Sequence, residues 1–271
     1  MSAVKGLIKR AFPKLVHARR IRRLTDREKE IQLLPLLCSE AKIAVDVGGN
    51  LGLYVHHFQK LCKCVVVFEP IPALQTHLKQ HYRDIRIEGV ALSDAPGQTQ
   101  LRMPTGNYSW ATIAETNNLE LADPGAGLAS IEVPVRTLDS YNLDNVGILK
   151  IDVEGHEESV LRGAVELLLR ETPNIIVEVE ERHNPGSVMR VSDFLSGLGY
   201  DGFYFYQGKL TPIEEFCIER DQQGRNVGTA GKIGRYINNF IFVSSEQSAR
   251  LRSASGSLDI RSPTDGNSGR S

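Results

Sequence analysis

Residues 44–52 read Ala-Val-Asp-Val-Gly-Gly-Asn-Leu-Gly. A short apolar run ends in an acid, a tight glycine turn follows, and a helix-like stretch comes next. An α/β protein uses this arrangement to bring its backbone against a nucleotide-like ligand. Glycine carries no Cβ to block the approach, and the helix start presents free N–H groups. Gly48, Gly49 and Gly52 permit the turn, and the Asn50 amide can hold it or touch the ligand.

Working outward, Val65-Val66-Val67-Phe68-Glu69-Pro70 supplies a second strand that ends in an acid. Glu69 lies about twenty residues past the turn, where a ribose-binding carboxylate is expected in a nucleotide-binding α/β fold. The order Gly48-Gly49-Asn50-Leu51-Gly52 does not fit the dinucleotide pattern, and no P-loop lysine follows it. Asp46 inside the motif suits a ligand that carries an amine as well as a nucleoside. That points to S-adenosylmethionine (SAM) rather than NAD.

Further strands are expected at Ile43–Val47, Cys64–Phe68, Ile85–Val90, Gly147–Ile151, Ile175–Val179, Gly202–Tyr206 and Asn239–Val243. Short continuous apolar runs suit strands buried on both faces. Helices are expected at Leu53–Leu61, Pro72–His81, Glu157–Leu169 and Val188–Leu198. The alternation predicts βαβ units and a mostly parallel sheet with helices on both faces. Residues 98–136 break the rhythm. They predict an insertion beside the ligand cleft, with strand-like pieces at Gln98–Met103 and Ile131–Arg136.

Several blocks together resemble the FkbM-type SAM-dependent methyltransferases. They are residues 45–52, Phe68-Glu69-Pro70, Val90-Ala91-Leu92-Ser93-Asp94, Leu149-Lys150-Ile151-Asp152-Val153-Glu154-Gly155-His156-Glu157 and Val160-Leu161-Arg162-Gly163-Ala164. The resemblance covers roughly residues 42–245. It implies a class I methyltransferase (Rossmann-like) fold, with seven strands and the last one antiparallel. It implies O-methylation of a hydroxyl on a saccharide, glycolipid or secondary metabolite. It also implies that Asp46 and the glycine loop face the methionine part of SAM, and that Ala91 and Ser93 lie near the adenine. Gly49 stands where alanine is commoner, a departure expected to matter little.

The block after the strand at 147–151 carries the chemistry. Strand ends of this kind point into the crevice where α/β sheets bind ligands. Methyl transfer to a hydroxyl benefits from a base that takes its proton. Asp152, Glu154 and His156 are the candidates, with Lys150 placed to offset repulsion among the acids. Glu178, Glu180 and His183 end the next strand, and His183 is an alternative base. Two or three carboxylates suit magnesium, but an acid cluster alone does not identify a metal site, so no metal ligands are assigned. Asn107-Tyr108-Ser109-Trp110 holds the only tryptophan, placed either to lid the pocket or to pack.

Charge divides the chain. Ten basic residues precede Glu30, against only Asp26 and Glu28, while the net charge of the whole is −1. The body is therefore not a general nucleic-acid binder. Residues 1–40 read as a basic helical extension, with Leu7, Ile8, Phe12, Leu15, Val16 and Ile21 on one face and Pro13 as a break. Such a helix can lie on an anionic membrane or pack on the domain with its arginines solvated. Residues 41–245 form the methyltransferase domain, and 246–271, rich in Ser, Gly, Arg and Asp, are expected to be a disordered tail. Cys38, Cys62, Cys64 and Cys217 show no disulfide or zinc framework and read as structural, with Cys64 buried. That composition, with no signal peptide or transmembrane run, fits a cytoplasmic protein. A SAM-dependent enzyme acting on a small-molecule or glycan acceptor is expected. The alternatives are an N-methyltransferase and a SAM-binding regulator without turnover.

Overall fold

The computed structural model describes residues 13–119, 125, 127–227 and 234–255. Five strands run parallel: β1 (Ile43–Val47), β2 (Cys64–Phe68), β3 (Ile85–Glu88), β7 (Val146–Ile151) and β8 (Asn174–Glu178). β11 (Asn239–Ser244) inserts antiparallel between β8 and β9 (Tyr200–Tyr206), and β10 (Lys209–Pro212) pairs antiparallel on the outside of β9. The sheet order is β10-β9-β11-β8-β7-β1-β2-β3. The expected mostly parallel sheet with an antiparallel last strand is present. Among the described residues it has eight strands rather than seven, because the chain turns back at Gln207-Gly208, both at positive φ, to add β10. The sheet ends on two strands of four residues, β3 with Arg86 and Glu88, and β10 with Lys209 and Pro212.

Strand alternation divides the core between the two faces of the sheet. Val45, Val47, Leu149, Ile151, Ile175 and Val177 pack with α5 (Glu157–Arg162), α6 (Val165–Glu171) and α7 (Ser187–Gly197). Ala44, Val65, Val67, Ile148, Ile176 and Ile241 pack with α3 (Leu53–Leu61), Leu78 of α4 (Pro72–His81) and the N-terminal residues Leu33, Leu34 and Leu37. Between β1 and β7 the order reverses, which opens a crevice at the strand ends.

The expected helix over 157–169 is two helices. Asp139 causes the break, because its carboxylate accepts from the Glu166 and Leu167 amides and so starts a second helix. The expected strand over 85–90 also divides. The chain leaves the large sheet after Glu88, and β4 (Ala91–Leu92) joins the insertion strands β5 (Gly97–Pro104) and β6 (Leu128–Arg136) in a second sheet, order β4-β6-β5.

Helix α1 (Pro13–Thr25) packs on the domain through the buried Ile21, while Leu15, Arg19, Arg22 and Arg23 are exposed. Leu7, Ile8 and Phe12 lie outside the described residues. At the other end, helix α9 (Ser245–Ser255) occupies the start of the expected disordered tail. Leu251 and Ser248 are buried against the sheet, and that burial outweighs the polar composition. Residues 256–271 lie outside the described set. Cys38 and Cys62 form a hydrogen-bonded thiol pair, Cys64 is half-buried rather than buried, and Cys217 is exposed. No described helix is long and apolar enough to cross a membrane.

Gly163 sits where a Cβ would come within 2.0 Å of the Ser93 carbonyl oxygen. Gly163→Ala should therefore cost about 1–3 kcal/mol in urea unfolding through overpacking. Gly97→Ala, which meets nothing within 4 Å, should change stability by less than about 0.5 kcal/mol. Equal midpoints for the two variants would contradict the packing described.

Candidate active site

The crevice holds an open cleft lined by Gly48, Asn50, Glu69, Ala91, Tyr108, Asp152, Glu154 and His156, among others. The glycine loop is tied to β2 by Gly48 N–H donating to the Phe68 carbonyl at 2.9 Å. Gly48 takes φ +86°, and a Cβ there would lie 1.9 Å from the Asp152 carbonyl oxygen. The loop and the chemical strand end thus meet backbone to backbone, which only glycine allows.

Glu69 is buried with one oxygen accepting from Asn50 N–H at 2.8 Å and the other from Ile71 N–H at 2.9 Å. Each oxygen keeps lone-pair capacity for a ligand hydroxyl. Burial pushes this carboxyl up to about 7 despite the two amides. Asn50, at φ 46°, has a buried Oδ1 without a partner. These groups fit the ribose and polar portion of SAM, and Ile71, Ala91 and Leu92 give the cleft an apolar wall.

Other cofactor-site expectations fall differently. Asp46, Gly49 and Gly52 do not line the cleft. Asp46 pairs in register with Lys150, is held by the Val55 amide, and is pushed up to about 7 by burial. Gly52 takes φ +82° against Tyr82, whose hydroxyl donates to its carbonyl at 2.7 Å. A Cβ on Gly49 would come 2.2 Å from Val67 Cγ1, so alanine would not be neutral here. Ala91 lines the cleft, while Ser93 stands behind it and engages His156 Nε2 at 2.9 Å. Ser93 gives its proton to Asp94 Oδ1 at 3.0 Å, so His156 Nε2 is the protonated nitrogen. Burial lowers the His156 pKa, with Asp94 opposing.

Asp152 lines the cleft and hydrogen-bonds side chain to side chain with Glu178. Burial pushes both carboxyls up, and Asp152 adds to the shift of Glu178. Glu154 also lines the cleft, at φ 55°, followed by Gly155 at φ 102°. The insertion clamps this left-handed turn. Thr112 Oγ1 and Asn117 Nδ2 donate to the Glu154 carbonyl at 2.7 and 2.8 Å. Glu154 Oε2 lies 3.2 Å from His183 Nδ1. Burial pushes the Glu154 carboxyl well up and the imidazole down to about 4. Glu157 is buried and spends Oε1 on the Gly155 amide at 2.8 Å. Tyr108, not Trp110, faces the cleft.

The sequence reading missed two acids from the N-terminal segment. Glu28 accepts from Asn239 Nδ2 at 3.0 Å, and Glu30 accepts from Tyr54 Oη at 2.6 Å. Both act on the buried Lys150, whose Nζ donates to Asn239 Oδ1 at 2.9 Å. Their only local signal was acidity within a basic stretch. Glu180 is likewise engaged by Arg182 and Tyr236. Burial works against its charge, but the guanidinium holds the carboxyl below its usual range.

The chain is 27% identical over 158 residues to Methyltransferase 1 of the fungus Beauveria bassiana, covering 50% of this chain and 63% of that protein. It therefore spans less than two thirds of that relative. It is 26% identical to the hexuronic acid methyltransferase AglP of Haloferax volcanii, over 64% of this chain and 70% of that one. The methyltransferase FkbM of Methylobacillus flagellatus has a solved structure that superposes with a TM-score of 0.47 at 14% identity, covering 75% of this chain and 44% of that one. Residues 46–201, from the buried acid of β1 into β9, match the methyltransferase FkbM domain, so this chain belongs to the FkbM family and carries a SAM-dependent methyltransferase domain.

Proposed function

We propose that this domain moves the methyl group of SAM onto a hydroxyl of a neutral, hydroxyl-rich acceptor such as a saccharide. The supporting observation is the bank of carboxyl groups at the strand ends. Asp152 and Glu154 line the cleft, and Glu178 and Glu180 interact with Asp152 behind them. Carboxyl groups of this kind accept hydrogen bonds from sugar hydroxyls. Because these groups already crowd one strand end and are pushed up by burial, a further carboxylate brought to that side is costly to keep ionised, which separates this reading from the uronic acid named for the archaeal relative.

Bound SAM supplies an activated methyl group. Glu69 holds the ribose hydroxyls, and Asn50 and the Gly48 backbone fix the polar chain. Asp46, Gly49 and Gly52 support the loop from beneath. His156, held by Ser93, stands at the Ala91 end and orients the cofactor. Asp152 receives the acceptor proton, because its carboxyl opens to the cleft and has no helix amide to cap. Its raised pKa brings it nearer the working pH, which favours general-base action. Glu154, fixed by His183, orients the acceptor.

Two predictions test these roles. Glu69 must be ionised to accept from two hydroxyls, and burial places its carboxyl at about 7. Binding below that pH then requires losing a proton. SAM affinity measured by calorimetry should rise with pH, by at most about tenfold per unit below 7, and level off above it. Glu69→Gln should bind about 10–100-fold more weakly at pH 8 and lose most of the pH slope. An unchanged slope in that variant would remove Glu69 from the ribose role. Asp152→Asn should keep SAM binding but lose about 10²–10⁴-fold in methyl transfer, measured with radiolabelled SAM over neutral sugars, uronates and amines. Full turnover in that variant would exclude Asp152 as the base. Transfer only to amines would replace the hydroxyl reading, and binding with no transfer to any acceptor would favour a regulator.

A further inference from the structure

Away from the cleft, three imidazoles from two helices converge. His17 lies on α1, and His77 and His81 stand one turn apart on the same face of α4. One ring nitrogen from each falls within 4.8 Å of the others. The His17 and His81 rings stack at 3.9 Å between centroids, and those of His77 and His81 lie at 4.4 Å.

Proton bookkeeping shows which atoms are bare. The Tyr82 hydroxyl spends its hydrogen on the Gly52 carbonyl at 2.7 Å. It can therefore only accept from His17 Nε2, which lies 2.8 Å away and must carry the imidazole proton. His17 Nδ1 is left as a lone-pair nitrogen, buried and without a hydrogen-bond partner. His77 Nε2 is also buried and unpartnered. Buried polar atoms normally have partners, so two unsatisfied nitrogens in one three-histidine cluster point to a missing ligand. An electron-pair acceptor meets that need.

We propose that His17, His77 and His81 bind one zinc-class transition-metal ion that fastens the basic helix α1 to the cofactor domain. Neutral imidazoles suit zinc, copper or nickel, whereas magnesium and calcium take oxygen ligands. Burial lowers all three histidines, His17 to about 4, so each is uncharged at neutral pH. Two histidines four residues apart on a helix with a third from a neighbouring helix supply three ligands, and solvent takes the fourth position. Zinc–nitrogen bonds of about 2.0–2.1 Å place tetrahedral ligands roughly 3.3 Å apart, so the nitrogens must close by about 1.5 Å at most, and the stacked His17 and His81 rings must also turn so that their in-plane lone pairs meet at one point. Arg20 beside His17 and His77, and Lys14 beside His81, are the cations acting on these rings, and they limit the affinity. The second nitrogen of His17 is oriented by Tyr82, the outer partner that metal-bound histidines commonly keep. Through Tyr82 the ion reaches the Gly52 carbonyl, and so the glycine loop.

The test uses the untagged full chain titrated with Zn²⁺, with Co²⁺ as a spectroscopic stand-in and Mg²⁺ as the oxygen-seeking control. One equivalent of Zn²⁺ should bind, the Co²⁺ spectrum should show nitrogen and oxygen ligation, and Mg²⁺ should not compete. His77→Ala and the more exposed His81→Gln should each weaken Zn²⁺ binding at least about tenfold and abolish the rise in Tm that Zn²⁺ gives the parent. If one variant fails to fold, the other decides. Failure to saturate, binding unchanged in the folded variants, competition by Mg²⁺, or a thiolate-to-cobalt band assigning the ion to Cys38 and Cys62 would each overturn the proposal.

Discussion

One buried ammonium organises the functional half of this molecule. Lys150 is 1% exposed in the middle of the sheet, beside Asp46 in register on β1. Its Nζ lies 4.0 Å from Glu178 Oε2 and 4.9 Å from the centre of the Tyr54 ring. An isolated charge in that position would be prohibitively costly, so carboxyl groups must gather around it. Burial opposes its charge, but Asp152, Glu178, Glu30 and Glu28 more than offset that and hold it ionised. The same gathering concentrates acids at the strand ends, where burial pushes several of them up. Structural need and chemical usefulness share one cause here.

That constraint also explains the N-terminal segment. Glu28 and Glu30 reach the charge cluster because Ile31, Leu33, Leu34 and Leu37 bury directly after them on the sheet face shared with α3. The segment is thus a structural component of the site as well as a basic appendage. The insertion works in a similar way from the opposite side. Thr112 and Asn117 hold the Glu154 carbonyl, which keeps the Glu154-Gly155 turn in a left-handed conformation that a non-glycine residue rarely adopts.

The strands were largely legible in the sequence because burial on both faces writes them as continuous apolar runs. β1, β2, α3 and α4 fall on the expected residues. Errors arose where a distant partner overrides local pattern. Asp139 divides a continuous helical pattern, and a sheet face orders the polar helix α9. That Gly48, Asn50, Glu69, Asp152, Glu154 and His156 line one cleft was readable, because the glycine turn and the strand ends have local signatures. The inward placement of Asp46 and Gly52 was not, since a motif gives spacing but not which side of the loop each residue takes. Glu28 and His17 act through contacts separated by long stretches of chain, which no local pattern reports.

The two borders of the large sheet have a consequence for assembly. Each is a strand of four residues, and they carry Arg86 with Glu88 on one side and Lys209 with Pro212 on the other. Short, charged or proline-bearing borders present a poor ladder for a foreign strand. The sheet therefore terminates rather than templating its own growth. Pairing of a foreign strand, including one from a second copy of this chain, onto either of these borders is disfavoured, which keeps the backbone of this layer for its own fold.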